Sequence, residues 1–253
     1  MPFRWVLITL IMGVWAGTSV AQDRYFVLLF GSETFPRRPA KTHTWATLVR
    51  TTPTVNGLAI ADVQTISWMP KTLILRPLAT EPETGTNLSL EASIRFSLED
   101  GHHIALWGPY EVHPTMYNIF RSRIRDLVCH YRYKTIDTRY EGQPVSNCIH
   151  AVSGMDRRFG REDYPSARYG QLATQYIALQ LFRRDRVIDP DADHAWLIRA
   201  LRIENVEMDR YQVIDSPLSD IIVRRRPMGW LQPGTFTQGP LPTIASEITS
   251  VPP

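Results

Sequence analysis

The amino-acid sequence predicts an α+β domain. Short apolar runs rich in aromatic and β-branched residues recur between residues 25 and 107, and Gly, Pro or Asp-Gly pairs separate them, as between β-strands. From residue 115 onward, apolar side chains instead recur every three to four positions, which is the spacing of amphipathic helices. A run of strands followed by a run of helices is typical of an α+β fold.

The first half of the chain carries the predicted strands. Residues 25–30 (YFVLLF) form a buried strand that ends at Gly31, and residues 42–50 (THTWATLVR) form a second strand after a proline-rich break. Because side chains alternate along a strand, one face of the second strand carries His43, Trp45, Thr47 and Val49. The remaining strands are expected over residues 58–68, 72–75, 88–96 and 103–107.

The second half carries the predicted helices. Residues 115–131 place apolar side chains on one stripe and arginines on the other, so we expect an amphipathic helix there. A second helix begins near Cys148, where Ser146 or Asn147 supplies the N-cap. A third helix over residues 169–183 and a fourth that begins near Ala192 make the C-terminal extension helical.

The two ends of the chain differ from this domain. Residues 1–21 combine one positive charge at Arg4, a short apolar run, and small residues at Ser19 and Ala21, which predicts a cleaved signal peptide. An uncleaved anchor is the alternative, but the run falls short of the ~20 residues that span a bilayer. Residues 227–253 are Pro-rich and without periodicity, so we expect a disordered, flexible tail beyond a single domain of residues 22–226.

Charge and location exclude several classes of partner. Lys and Arg total 28 against 25 Asp and Glu, a net charge of +3, which is too balanced to predict nucleic-acid binding. No zinc spacing joins the histidines, and no metal or cofactor is predicted. With the signal peptide removed, no later stretch has transmembrane length, so the prediction is a secreted or periplasmic protein without a membrane span.

The stretch VSNCIHAVS contains Cys148, one of only two cysteines in the chain. At a helix N-terminus, free amides and the helix dipole lower the pKa of a thiol and can hold an oxyanion, as a nucleophile requires. His150 is a poor base because positions two apart point to different faces of a helix, whereas His43 projects from a strand. A disulfide between Cys129 and Cys148 is the alternative, since paired cysteines are common outside the cytoplasm.

Three segments together resemble a known superfamily. Asn147-Cys148-Ile149-His150 resembles the Asn-Cys-x-His motif of the circularly permuted papain-like proteins, namely the NlpC-type cysteine hydrolases and the lecithin retinol acyltransferase-like enzymes. Residues 42–46 resemble the early histidine strand of that superfamily, and residues 118–137 resemble its helix with a tyrosine-bearing connection. Where the superfamily commonly has a third polar residue, often a histidine, this chain offers Gln64, Thr65 or Ser67.

The resemblance implies both a fold and a chemistry. It implies a small antiparallel sheet packed on helices, with Cys148 as nucleophile, His43 as base, and supporting roles for Asn147, His150 and Ser67. The implied function is a secreted hydrolase or acyltransferase that acts on an amide, ester or thioester, with peptidoglycan peptide as the favoured substrate. We further expect the Asn147 side chain to cap the helix, and the His150 imidazole to bind a backbone carbonyl while pointing away from the sulfur.

A second function remains open from the sequence alone. In this alternative the protein is a secreted binding or structural protein without catalysis, and a Cys129–Cys148 disulfide closes a loop.

Overall fold

The computed structural model describes residues 22–137, 142–156, 169–214 and 222–226. Within these residues the helices are α1 (Leu90–Glu99), α2 (Thr115–His130), α3 (Cys148–Ser153), α4 (Gly170–Arg183) and α5 (Trp196–Ala200). The strands are β1 (Arg24–Glu33), β2 (Thr42–Thr54), β3 (Gly57–Ile66), β4 (Trp68–Pro70), β5 (Gly85–Asn87), β6 (His103–Val112), β7 (Arg132–Tyr133), β8 (Val145–Ser146), β9 (Met208–Ile214) and β10 (Ile222–Arg226).

A six-stranded sheet, in the order β10-β9-β6-β1-β2-β3, forms the centre of the domain. Its neighbouring strands are antiparallel except for β6 and β9, which run parallel, with Ile104 opposite Met208. Two further pairs, β4 with β5 and β7 with β8, lie outside this sheet. The predicted α+β class and the mostly antiparallel sheet are therefore confirmed.

Helices cover the sheet on both faces. Because side chains alternate along a strand, Phe30 and Trp45 point to the face covered by α1 and α5. Their neighbours Leu29 and Ala46 point to the opposite face, which α2, α3 and α4 cover. Strands buried on both faces read as continuous apolar runs, and this explains the YFVLLF stretch of β1.

Helix α4 approaches the sheet at two glycines. A side chain at Gly31 of β1 would place its Cβ 2.7 Å from the Gln171 Cα, and one at Gly170 would overlap the His43 carbonyl oxygen. The Gly170 amide donates a hydrogen bond to the Thr42 hydroxyl, and this bond satisfies one of the free amides at the start of α4. Only glycines permit this close packing, which brings Ala173 of α4 into contact with Cys148.

Two predicted strands are wrong. Residues 88–96 were expected to be extended, but α1 begins at Leu90, because the Ser89 hydroxyl accepts a hydrogen bond from the Ala92 amide and caps the helix. Leu90 and Ile94, four positions apart, then face the core. Residues 72–75 form no strand either: Leu73 has a φ of 58°, and its amide donates to the Pro70 carbonyl in a turn.

The C-terminal part is only partly helical. Helices α4 and α5 fall where the sequence predicts helices, but β9 then joins the central sheet beside β6. The residues predicted as one strand over 58–68 divide at Ser67 into β3 and β4. The sequence patterns therefore did not predict β9 and β10, the last two strands of the sheet.

Two predictions lie outside the described residues, namely the signal peptide over residues 1–21 and the flexible tail over residues 227–253. In the ranges that the structure describes, no helix combines the length and apolar character needed to cross a bilayer.

Candidate active site

Cys148 is the first residue of α3. Asn147 precedes it in an extended conformation (φ −92°, ψ 179°), and its side-chain oxygen accepts a 2.8 Å hydrogen bond from the His150 amide. This is the N-cap that the sequence predicts, and it satisfies one of the amides that the first helical turn leaves free. Helix α3 packs on β2 and α4, so its first residue is held at the central sheet.

The Cys148 thiol is buried, with 5% of the residue exposed. Burial raises the pKa of the Cys148 thiol to about 11, and the nearby negative charge of Asp137 acts in the same direction. The backbone N–H groups of Thr44, Ile149 and Cys148 itself point at the sulfur and lower its pKa. These three donors favour a negative charge, but the group is a neutral thiol at physiological pH.

His43 lies in β2, and its ring is fully buried on the α1 face of the sheet. It stacks on Trp45, with ring centroids 5.2 Å apart, and meets the edge of Phe96 at 6.1 Å. Burial lowers the pKa of His43 to about 3, and the charge of His102 acts in the same direction. The imidazole is therefore neutral at physiological pH, like the thiol.

Ser67 contacts the Nε2 atom of His43 at 2.8 Å, the place where the sequence predicts a supporting polar residue. The Ser67 hydroxyl also lies 2.7 Å from the Ser93 hydroxyl, which itself lies 2.7 Å from the Ser89 carbonyl oxygen. The Ser93 hydroxyl donates to Ser67 as well as to the Ser89 carbonyl. Ser67 shares its second hydrogen bond with His43 Nε2, which donates in the tautomer with the proton on Nε2 and accepts in the other. In the first tautomer Nδ1 carries an unshared electron pair.

The structure brings Cys148 to the residue that follows His43, because the thiol meets the Thr44 amide. His43 and Thr44 point to opposite faces of the sheet: the Thr44 hydroxyl donates to the Gly170 carbonyl of α4, whereas His43 faces α1. Among the described residues, no atom hydrogen-bonds to the Nδ1 atom of His43, so the thiol and the imidazole share no hydrogen bond. The two groups therefore lie on opposite faces of β2.

Asp137 was not predicted from the sequence, and it contacts the same turn. Its Oδ2 accepts a 2.8 Å hydrogen bond from the Asn147 amide, and its Oδ1 accepts one of 3.1 Å from the Asn147 side chain. The His150 Nδ1 lies 2.6 Å from Oδ1. The prediction that His150 binds a backbone carbonyl is therefore wrong, because a carboxylate is a stronger acceptor than a carbonyl and lies within reach. The Nε2 atom of His150 is buried without a hydrogen-bond partner among the described residues.

Other residues complete the surroundings of Cys148. Tyr133 of β7 is fully buried, and burial raises its pKa well above the usual value, with the nearby Cys148 acting in the same direction. Arg123 of α2 donates to the carbonyl groups of His150 and Ala151 and so binds α3 at its other end. The sequence singles out neither Arg123 nor Thr44. The Arg123 side chain binds backbone carbonyls, and Thr44 interacts with the thiol through its own backbone amide, so neither contact depends on a recognisable side-chain pattern.

Cys129 and Cys148 are both free, so the predicted alternative of a disulfide between them is wrong. Cys129 is exposed near the end of α2, whereas Cys148 is buried between β2 and α4. In the described ranges, no group of three or more His, Cys, Asp or Glu side chains is placed to hold a metal ion.

The chain matches no protein-family model, no curated protein and no solved structure. The geometry around Cys148, His43 and Ser67 therefore carries the functional argument.

Proposed function

We propose that this protein is a cysteine-dependent hydrolase or acyltransferase of the permuted papain-like kind, with Cys148 as nucleophile and His43 as general base. The observation that carries the proposal is the hydrogen bond between His43 Nε2 and Ser67, which orients the ring one residue from Thr44, whose amide favours the thiolate. The proposal takes the tautomer with the proton on Nε2, in which the Nδ1 electron pair can accept a proton. A base oriented by a third group is one part of the arrangement that nucleophilic catalysis requires.

The reaction begins from neutral groups. The thiol proton moves to His43 Nδ1 as the sulfur attacks the substrate carbonyl, so that a C–S bond forms while the π electrons move to the carbonyl oxygen. The backbone amide of Cys148 donates to this oxyanion. The imidazolium then gives its proton to the leaving amine, alcohol or thiol, and water or another acceptor cleaves the acyl-enzyme.

Burial raises the pKa of Cys148 and lowers that of His43, and both shifts oppose proton transfer in the resting protein. When the two charges form together, their attraction in a low-dielectric site offsets the cost of burying each one. His43 and Cys148 lie on opposite faces of β2, so a rotation of one side chain cannot bring Nδ1 to the sulfur. The proposed mechanism therefore includes a shift of β2 at residues 43–44, and substrate binding is the step that would favour it.

The substrate class follows from the proposed chemistry and location. An amide, ester or thioester met outside the cytoplasm fits a secreted or periplasmic enzyme, and the resemblance of the Asn147 to His150 motif favours peptidoglycan peptide.

The test combines two substrates and four proteins, the wild type and three variants. Wild-type protein, Cys148→Ala, His43→Ala and the control Cys129→Ser are incubated with p-nitrophenyl butyrate and with soluble muropeptides. Loss of the base or nucleophile is expected to reduce turnover by about a hundredfold or more. Mass spectrometry should find a butyryl adduct on Cys148, and Cys129→Ser should retain full activity. Turnover that survives Cys148→Ala would contradict the proposal.

The second candidate is a secreted binding or structural protein that keeps the scaffold without catalysis. The observation that favours it is the absence of a hydrogen bond between His43 Nδ1 and the buried thiol. If wild-type protein turns over neither substrate and iodoacetamide leaves Cys148 unmodified, this second function replaces the first.

A further inference from the structure

Asp137 is the acidic group that the fold brings closest to the turn around Cys148. Its carboxylate is almost fully buried, with 5% of the side chain exposed, and it contacts the turn through both oxygens. The Asn147 amide, the Asn147 side chain and His150 Nδ1 all contact this one carboxylate. The turn that presents the thiol is therefore built around the Asp137 side chain.

The other charged and titratable groups around the thiol come from several elements. His150 lies on α3 itself, and Ala173 is the α4 residue in contact with Cys148. Among the described residues, the groups that face this region from neighbouring elements are Tyr133 on β7, Arg123 on α2, and Asp137. His43 on β2 lies on the opposite face of that strand, towards α1. Since Tyr133 is neutral, Asp137 supplies the negative charge in this set.

We propose that Asp137 is a positioning residue that both holds the Asn147–Cys148 turn and keeps the Cys148 thiol protonated until a substrate is bound. Burial favours the protonated thiol most strongly, and the Asp137 charge acts in the same direction, against three backbone amides that favour the thiolate. This inference rests on the proposed function only in taking Cys148 as the reacting group.

Such an arrangement protects the cysteine in an oxidising compartment. The thiolate is the form that oxidants and disulfides attack, so a thiol that stays protonated resists both. The nucleophile then forms only when His43 accepts the proton.

The test is the pH dependence of Cys148 alkylation by iodoacetamide. It is measured in Cys129→Ser protein, in which Cys148 is the only cysteine that can react. In Cys129→Ser protein the rate should reach half of its maximum well above pH 8.5, the pKa of an ordinary cysteine. Asp137→Asn removes the charge with little change of shape and should move this midpoint down, while burial keeps it above that of an ordinary cysteine. Below the midpoint, alkylation at a fixed pH then becomes faster in proportion to the larger thiolate fraction.

Two further variants separate charge from structure. Asp62→Asn removes a carboxylate that accepts a hydrogen bond from Tyr117, and it should leave the midpoint in place. His150→Gln breaks the contact with Asp137 but keeps the negative charge, so the midpoint should not fall. Equal downward shifts in Asp137→Asn and His150→Gln would overturn the proposal, as would faster alkylation at every pH without a shift.

The proposal stays testable if Asp137→Asn does not fold. A midpoint at or below about 8.5 in the Cys129→Ser protein would then overturn it, and a higher midpoint that does not fall in His150→Gln would support it. Alkylation requires no substrate, so a failure to hydrolyse esters or muropeptides would contradict the proposed function without affecting this result.

Discussion

At the scale of single residues, two serine hydroxyl groups connect His43 to the start of α1. Ser93 donates to Ser67 and to the Ser89 carbonyl, and Ser67 shares a 2.8 Å hydrogen bond with His43 Nε2. The proposed base requires the tautomer with the proton on Nε2, in which Ser67 accepts from both neighbours. The orientation of the His43 ring is therefore a consequence of where α1 begins.

Ser67→Ala should remove the hydrogen-bond partner of the His43 Nε2 atom. A buried polar group left without its partner costs about 1–3 kcal/mol, so we expect a loss of that size in the free energy of unfolding, measured by urea denaturation. Turnover should fall as well, because the imidazole loses its orientation. Ser93→Ala is the matched control, since it keeps the bond between His43 and Ser67. A Ser67→Ala protein with unchanged turnover would exclude Ser67 from the site.

At the scale of secondary-structure elements, the packing of α4 on the sheet decides the position of Cys148. Thr174 of α4 donates to the Phe30 carbonyl of β1, and Thr44 of β2 donates to the Gly170 carbonyl of α4. With glycine at positions 31 and 170, helix and strand approach to backbone contact. The thiol lies beside this contact, between Ala173 and the Thr44 amide.

Gly170→Ala should destabilise the protein, although the same change stabilises most helices by up to about 1 kcal/mol. The added methyl group would overlap the His43 carbonyl, which belongs to a central strand and cannot move freely. Overpacking of this kind costs about 1–3 kcal/mol, and a thermal melt should show it. Leu172→Ala, at a half-exposed position of the same helix, is the control and should change the melting temperature little. A higher melting temperature for Gly170→Ala would mean that α4 lies farther from the sheet.

The elements that the sequence predicts well are those whose signals are local. The apolar run of β1, the amphipathic stripe of α2 and the Asn147 cap each depend on neighbouring positions. Residues 88–96 contain the local signals of a helix, with a Ser89 cap and core residues four apart, but their length also suits a strand. Strand β9 forms by pairing with β6, about a hundred positions earlier in the sequence. A pattern of neighbouring residues does not indicate such a distant pairing.

The same distinction applies to the site. Cys148, Asn147 and Ser67 could be identified because each belongs to a short motif or follows directly from one strand. Asp137 could not, because it reaches the turn from a separate segment and its own neighbours contain no signal for that contact. Thr44 contributes its backbone amide, which any residue would supply.

At the scale of the whole molecule, the α1 face of the sheet encloses two neutral histidines. The rings of His43 and His102 both contact Phe96, with centroid distances of 6.1 and 6.0 Å. Burial lowers the pKa of both imidazoles, and the effect on His102 is partly offset by the nearby Asp100. Protonation of either ring would place a positive charge in the core.

Unfolding free energy should therefore fall as the pH falls below neutrality. For His43 the pKa is about 3 in the folded protein against an ordinary 6.5, so the unfolded chain binds more protons between these values. The stabilisation is complete above pH 6.5 and is lost progressively toward pH 3, by at most about 1.4 kcal/mol per pH unit for one such group.

Urea denaturation at pH 7.5, 5.5 and 4.5 measures this slope. His43→Gln should reduce it, and the exposed His113→Gln should not. Equal slopes in the wild-type protein and His43→Gln would show that His43 is not buried as a neutral group.

The parallel pairing of β6 with β9 has a consequence for self-association. Strand β6 is buried on both faces, and β1 covers one of its sides while β9 covers the other. A chain cut before Met208 would leave β6 as an edge strand with a row of unpaired backbone amides and carbonyls. Flat apolar edges of this type pair with the same edge of another molecule. Proteolysis between α5 and β9 should therefore produce aggregates instead of a shorter monomer.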